Sequence, residues 1–64
     1  MDMNEVREHF VRERTLKNLS QKKVGIGSRL KDIRKYGRFE RGKAQLTVAE
    51  VEVVCRFLGI GFDI

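Results

Sequence analysis

The stretch of sequence that decides the fold is residues 29–41, which read RLKDIRKYGRFER. At about 100° per residue, its apolar side chains fall on one side of a helix and its basic side chains on the other. The apolar side consists of Leu30, Ile33, Tyr36 and Phe39. The basic arc consists of Lys31, Arg34, Lys35, Arg38 and Arg41. The pattern predicts a helix that buries one stripe and turns an all-basic arc outward, with Tyr36 and Phe39 in the core rather than stacked on bases.

The C-terminal segment contains the clearest helix signal. Thr47 followed by Glu50 is typical of a capping box, in which each side chain accepts a hydrogen bond from the other residue's backbone N–H. One apolar stripe follows at helical spacing: Val48, Val51, Val54, Cys55 and Leu58. Gly59 stands where a left-handed C-terminal cap belongs. We therefore expect a helix between Thr47 and Gly59.

The N-terminal half predicts two more helices. Asp2 or Asn4 can cap the first, whose apolar face is Met3, Val6 and Phe10. Ser20 is a suitable N-cap for the second. Gly25 and Gly27 mark either a tight packing point or a break. With no proline and no strand pattern, we expect an all-α, compact four- to five-helix domain spanning residues 1–64.

Composition narrows the classes of function. The chain has 64 residues and a formal net charge of +5, which favours a polyanionic partner: nucleic acid or an anionic membrane surface. Cys55 is the single cysteine and His9 the single histidine. Neither a thiolate zinc cluster nor a Cys–His catalytic pair with an orienting third group is expected, so we expect no metal, no cofactor, no small-molecule ligand and no enzyme activity. Cys55 is interpreted as a core residue.

The N-terminus alternates charge and is unlike a signal peptide, and no apolar run approaches the roughly 18 residues of a membrane span. A cytoplasmic location is expected. A basic amphipathic peptide on a membrane surface is a weaker interpretation, because several helices share the apolar stripe and a core uses it better.

The order of several short motifs resembles the Cro/lambda-repressor-like, or XRE-type, helix-turn-helix family. The matching residues are Leu19-Ser20-Gln21, then Glu40-Arg41-Gly42-Lys43, then Leu58-Gly59-Ile60, with Arg14 at a position where the family often has an arginine. The resemblance covers nearly the whole chain after about Val6. The sequence departs from the family in a longer span from Gln21 to Glu40, in the turn glycine, which has no clear counterpart, and in Leu46, which replaces a common proline.

The resemblance implies that a recognition helix at about residues 32–41 enters the major groove of DNA. Ser20, Gln21 and Lys22 would contact phosphate. The remaining DNA-binding candidates are Lys31, Arg34, Lys35, Arg38, Arg41 and Lys43, of which Arg34, Lys35 and Arg38 are the preferred base-reading residues. Gly37 is interpreted as the cap of a helix that ends at Tyr36, with close approach of its backbone to DNA as the alternative.

A structural ion pair is also expected. Glu40 falls on the apolar side of its helix and Arg14 on the apolar side of the first helix, and the two matching positions often pair in the family. Because a lone buried charge is costly, we expect a charge-assisted pair between them.

The resulting functional prediction is a sequence-specific regulator of transcription, a repressor of bacterial or phage origin that associates with the nucleoid when bound to double-stranded DNA. A homodimer is expected because one recognition helix covers only a half-site. Its interface would use the apolar residues Phe57, Ile60, Phe62 and Ile64. The alternative is a protein-interaction module or anti-activator whose protein partner binds the apolar surface of residues 57–64.

Overall fold

The computed structural model describes residues 2–61, and within that range the chain forms four α-helices and no strand. They are α1 (Met3–Leu16), α2 (Gln21–Gly27), α3 (Ile33–Glu40) and α4 (Val48–Leu58). The predicted all-α fold is confirmed. The predicted roles of Phe62 and Ile64 lie outside the described residues. No helix in the described range has both the length and the apolar character to cross a membrane.

Each helix begins at a side chain that accepts a backbone hydrogen bond. Asp2 caps α1, rather than Asn4, and Ser20 caps α2 by accepting from the N–H of Lys23 at 3.0 Å. The capping box of α4 is complete, with Thr47 and Glu50 exchanging hydrogen bonds of 3.1 and 2.8 Å. Such caps satisfy donors that a helix start leaves free, so these boundaries follow from local sequence.

The core is built from one face of each helix. Its fully buried aromatic centre is Phe10, Tyr36 and Phe39, with the Phe39 ring centroid 6.1 Å from that of Phe10 and 6.3 Å from that of Tyr36. Those separations fall in the range favoured by tilted aromatic pairs. The buried aliphatic and sulfur side chains around it are Val6, Val24, Leu30, Leu46, Val51, Val54, Cys55 and Leu58.

The prediction that residues 29–41 form one helical segment was wrong, because the connection between α2 and α3 extends to Asp32. Arg29 has a left-handed backbone (φ 58°), Leu30 is buried within the turn, and Asp32 caps α3. Because Leu30 was counted as part of the helix, Ile33 was predicted to lie in the core. Its side chain is instead 40% exposed. The helix also continues past Gly37 to Glu40, so the prediction that Gly37 ends it was wrong.

The two glycines of α2 have different roles. A Cβ at Gly25 would lie 2.6 Å from the carbonyl oxygen of Ile33, so Gly25 is a packing point where α3 begins against α2. Gly27 ends the helix beneath the ring of Phe57. In α4, Val48 is 62% exposed and does not belong to the buried stripe, because it is the first helical residue and projects beyond the core.

Candidate nucleic-acid interface

A groove of about 690 Å³ lies between the start of α2 and the exposed face of α3. It is lined by Gln21, Lys22, Lys31, Asp32, Ile33, Arg34, Gly37 and Arg41. A second groove of similar volume lies between the turn after α2 and α4, and Lys31 is the one predicted DNA-binding residue in its lining. The first groove is the one in which the predicted basic residues meet.

The helical period of α3 explains which of its residues line this groove. Ile33, Arg34, Gly37 and Arg41 fall within one face of the helix, whereas Tyr36 and Phe39 point into the core. Gly37 has no side chain, and a Cβ there would lie 2.8 Å from Oε1 of Gln21. The absence of a side chain at Gly37 therefore lets the Gln21 side chain, at the start of α2, pack closely against α3.

Asp32 is the carboxylate among the lining residues, and it is neutralised within the protein. Its Oδ1 accepts the backbone N–H of Arg34 at 3.0 Å, and its Oδ2 accepts from Nη2 of Arg38 at 3.0 Å. The hydrogen bond from Arg38 and the backbone bond from Arg34 lower the pKa of Asp32. Lys22, Lys31, Arg34 and Arg41 therefore leave the groove with an excess of positive charge.

The predicted ion pair between Arg14 and Glu40 is present and bidentate. Nε of Arg14 donates to Oε2 of Glu40 at 2.7 Å, and Nη2 donates to Oε1 at 2.9 Å. Nη1 of Arg14 also donates to the carbonyl oxygen of Leu19 at 2.8 Å, just before the cap of α2. The Glu40 side chain is only 5% exposed and that of Arg14 is 18% exposed. This pair connects α1 and the end of α3 to the start of α2.

The pKa of Glu40 reflects the balance between burial and hydrogen bonding. Burial alone would raise it, but the hydrogen bonds from Arg14 and Gln21 outweigh burial, and the pKa is lowered from its ordinary value. The pKa of the Tyr36 hydroxyl is strongly raised, mainly by burial and then by the neighbouring Glu40 carboxylate. Glu40 is therefore ionised and Tyr36 is neutral at physiological pH.

Glu40 also sets the orientation of Gln21 at the edge of the groove. Nε2 of Gln21 donates to Oε1 of Glu40 at 2.8 Å, which identifies the amide nitrogen because a carboxylate can only accept. Oε1 of Gln21 consequently faces Gly37 and accepts from Nη1 of Arg41 at 3.4 Å. A carbonyl oxygen and a guanidinium are thereby held side by side in the groove.

The other predicted DNA-binding residues lie around the groove or away from it. Lys35 is directed toward α4, where its Nζ lies 2.9 Å from Oε1 of Glu50. Arg38 stands at the margin, where its Nη2 lies 3.0 Å from Oδ2 of Asp32. Ser20 uses its hydroxyl as a cap, and Lys43 is exposed beyond α3. Of the three preferred base-reading residues, only Arg34 lines the groove.

Three residues of this region were missed or misread from the sequence. Ile33 and Gly37 line the groove. Recognising Asp32 as an N-cap would have excluded Leu30 from the helix and turned the predicted buried face away from Ile33. Arg7 donates from Nε to the carbonyl oxygen of Phe39 at 2.7 Å and lies over its ring, 4.9 Å from the centroid. That contact bridges residues 32 apart in the chain and has no local sequence signal.

Comparison of the chain with protein-family models, with curated proteins and with solved structures found no match.

Proposed function

We propose that this protein binds double-stranded DNA in a sequence-specific manner and acts as a regulator of transcription, most simply as a repressor. The observation that carries the proposal is the groove between α2 and α3, where four basic side chains surround an exposed helix face and the lining carboxylate is already paired. The sequence resemblance to the XRE-type family supports the same mode of binding.

The size and chemistry of α3 suit the major groove. Eight residues make a helix of roughly 12 Å, at about 1.5 Å per residue. The exposed Arg34 and Arg41 can donate to guanine O6 and N7, and arginine is the side chain best shaped for that contact. Lys22 and Lys31, on either side, would bind phosphates and set the register of the helix on the duplex.

Repression requires only that the protein occupy a promoter site. A bound domain that blocks polymerase needs no catalytic step and no ligand. The fixed contacts between Gln21, Glu40 and Arg14 would keep α2 and α3 in one geometry during binding.

The test begins with selection of bound sites from a random duplex pool, followed by measurement of Kd over increasing salt. A groove binder should select a defined motif, and log Kd should rise linearly with log salt because phosphate contacts release counterions. Arg34→Ala should weaken binding to the selected site by about 1–3 kcal/mol. Arg12→Ala removes the same charge from an exposed position of α1 outside the groove and should have much less effect.

Circular dichroism of both variants controls for folding. Equal affinities of the Arg34 and Arg12 variants for the selected duplex, with helicity retained, would contradict the proposed interface. Failure to select any motif would contradict sequence-specific DNA binding itself.

A protein-interaction module is the second candidate, and one observation favours it. Ile26 is 51% exposed and Phe57 is 39% exposed, at the end of α2 and on α4 respectively. Large apolar side chains at such positions often mark binding surfaces. Under this alternative, duplex binding would be weak and without sequence preference, and Phe57→Ser would abolish partner binding while Arg34→Ala would not.

A further inference from the structure

We propose that Ile33 contacts the C5-methyl group of a thymine, so that the protein prefers a T·A base pair at one position of its site. This inference rests on the proposed DNA-binding function and names the residue that would read one base.

The position of Ile33 is unusual for a large apolar residue. It is the first residue of α3, it is 40% exposed, and it is the aliphatic side chain in a lining otherwise made of Gly37 and polar or charged residues. The exposed Leu16, Ile26, Val48 and Phe57 lie outside this lining. An apolar surface surrounded by cations therefore stands at the start of the helix that faces the groove.

The surrounding structure holds Ile33 in place. A Cβ at Gly25 would lie 3.2 Å from Cγ2 of Ile33 and 2.6 Å from its carbonyl oxygen, so one side of the residue packs directly on the backbone of α2. β-Branched side chains in helices also have one strongly preferred χ1 rotamer. The exposed part of Ile33 consequently projects from a fixed point, as a specific contact with a base requires.

The chemistry of duplex DNA identifies the group that Ile33 can contact. The cations around Ile33 would bring phosphates to both sides of it, and the surface between those phosphates is the edge of the bases. In the major groove the base edges present hydrogen-bonding groups and one apolar substituent, the thymine methyl. Contact with that methyl removes apolar surface from water on both molecules, whereas contact with a guanine or cytosine edge would desolvate polar groups without compensation.

The experiment removes one methyl group at a time. Duplexes of the selected motif are synthesised with each thymine replaced in turn by deoxyuridine, and Kd is measured for the wild-type protein, Ile33→Val and Ile33→Ala. We expect one deoxyuridine position to weaken wild-type binding about fourfold, which is about 0.8 kcal/mol at roughly 1.4 kcal/mol per tenfold. Ile33→Ala should bind the thymine and deoxyuridine duplexes equally, and Ile33→Val should keep most of the discrimination.

Replacing the T·A pair at that position by 5-methylcytosine·guanine tests whether a methyl group on a different base also increases the affinity. The wild-type protein should bind this duplex more tightly than the unmethylated one, and Ile33→Ala should not. If no deoxyuridine position weakens binding, or if the loss is the same in Ile33→Ala, the inference is overturned while DNA binding stands. If the wild-type protein selects no motif, the proposed function fails and this inference fails with it.

Discussion

The Glu40 carboxylate lies where three parts of the chain meet. It accepts hydrogen bonds from Arg14 on α1 and from Gln21 at the start of α2, and it belongs to the last turn of α3. A carboxylate that is 5% exposed is costly to bury alone, and the bidentate guanidinium offsets that cost. The stability of the interface between α2 and α3 therefore depends on the ionised form of a single side chain.

The substitution Arg14→Met keeps much of the side-chain volume and removes the positive charge. It should lower the free energy of unfolding by on the order of 3 kcal/mol, because Glu40 is left buried without its main partner. Lys17→Met is the matched control, since it breaks the exposed pair with Glu13 and should leave the thermal midpoint nearly unchanged. Chemical denaturation at pH 7 measures both, and equal losses in the two variants would contradict the structural role of Arg14.

In Arg14→Met, protonation of Glu40 should have the opposite effect on the free energy of unfolding from its effect in the wild-type protein. The folded-state pKa of Glu40 is lowered, so its stabilising contribution is complete above the unfolded value of about 4.3 and is lost as pH falls through the folded value. In Arg14→Met burial should instead raise that pKa, so protonation of Glu40 would favour the folded state. Denaturation curves between about pH 3 and 7 should therefore show a smaller acid loss in the variant than in the wild-type protein.

The ion-pair partner of Glu40 could be predicted from the sequence. Glu40 on an apolar helix face needed a partner, and the family resemblance identified Arg14. The ion-pair partners of Lys35 and Arg38 were not predicted, because Glu50 and Asp32 reach them only through the way α3 lies against α4 and the position at which α3 begins. A helical wheel shows which residues share a face but not what the neighbouring helix presents to them.

Helix boundaries were predictable where caps are local. Ser20, Thr47 and Gly59 all stand at the ends expected of them, because each satisfies backbone groups within a few residues. No glycine marks the turn before α3, because Arg29 occupies the left-handed position that a glycine often takes. The start of α3 could therefore not be predicted from a turn glycine. Left-handed backbone is uncommon for a side chain of this kind, so tertiary packing of Leu30 must hold the turn.

Alanine substitutions at the two glycines of α2 should differ in their effect on stability. Gly25→Ala should destabilise the protein by about 1–3 kcal/mol despite the better helix propensity of alanine, because the new Cβ meets the backbone oxygen of Ile33. Gly27→Ala meets the ring of Phe57, a side chain that is 39% exposed and able to turn away. Thermal unfolding should show a clearly lower midpoint for the first variant than for the second, and the reverse order would refute the packing argument.

Across the whole molecule, α1 supports the pair of helices that forms the groove. Arg14 holds the start of α2 and the end of α3, and Arg7 binds the carbonyl oxygen of Phe39. On the other side, Lys35 joins α3 to Glu50 of α4. The contacts of Arg7 and Lys35 could not be derived from local sequence patterns, although the helices that carry them could.

The number of chains on the DNA can be predicted from the proposed binding mode. If α3 enters the major groove as proposed, one α3 covers only a half-site, and we expect two chains on a palindromic motif with about one helical turn between the half-site centres. Sedimentation velocity of the complex with the selected duplex measures the number of chains. A single chain bound to the full motif, with unchanged affinity for an isolated half-site, would argue for a monomer.

The orientation of Gln21 has a kinetic consequence. Its amide is already locked by Glu40 and its oxygen already lies beside Arg41, so this part of the surface has no rotamer search to complete on contact. If the groove binds DNA as proposed, the cost of ordering the Gln21 amide falls on folding and not on association. The Gln21 side chain then adds no rearrangement step to an encounter that charge attraction and orientation govern.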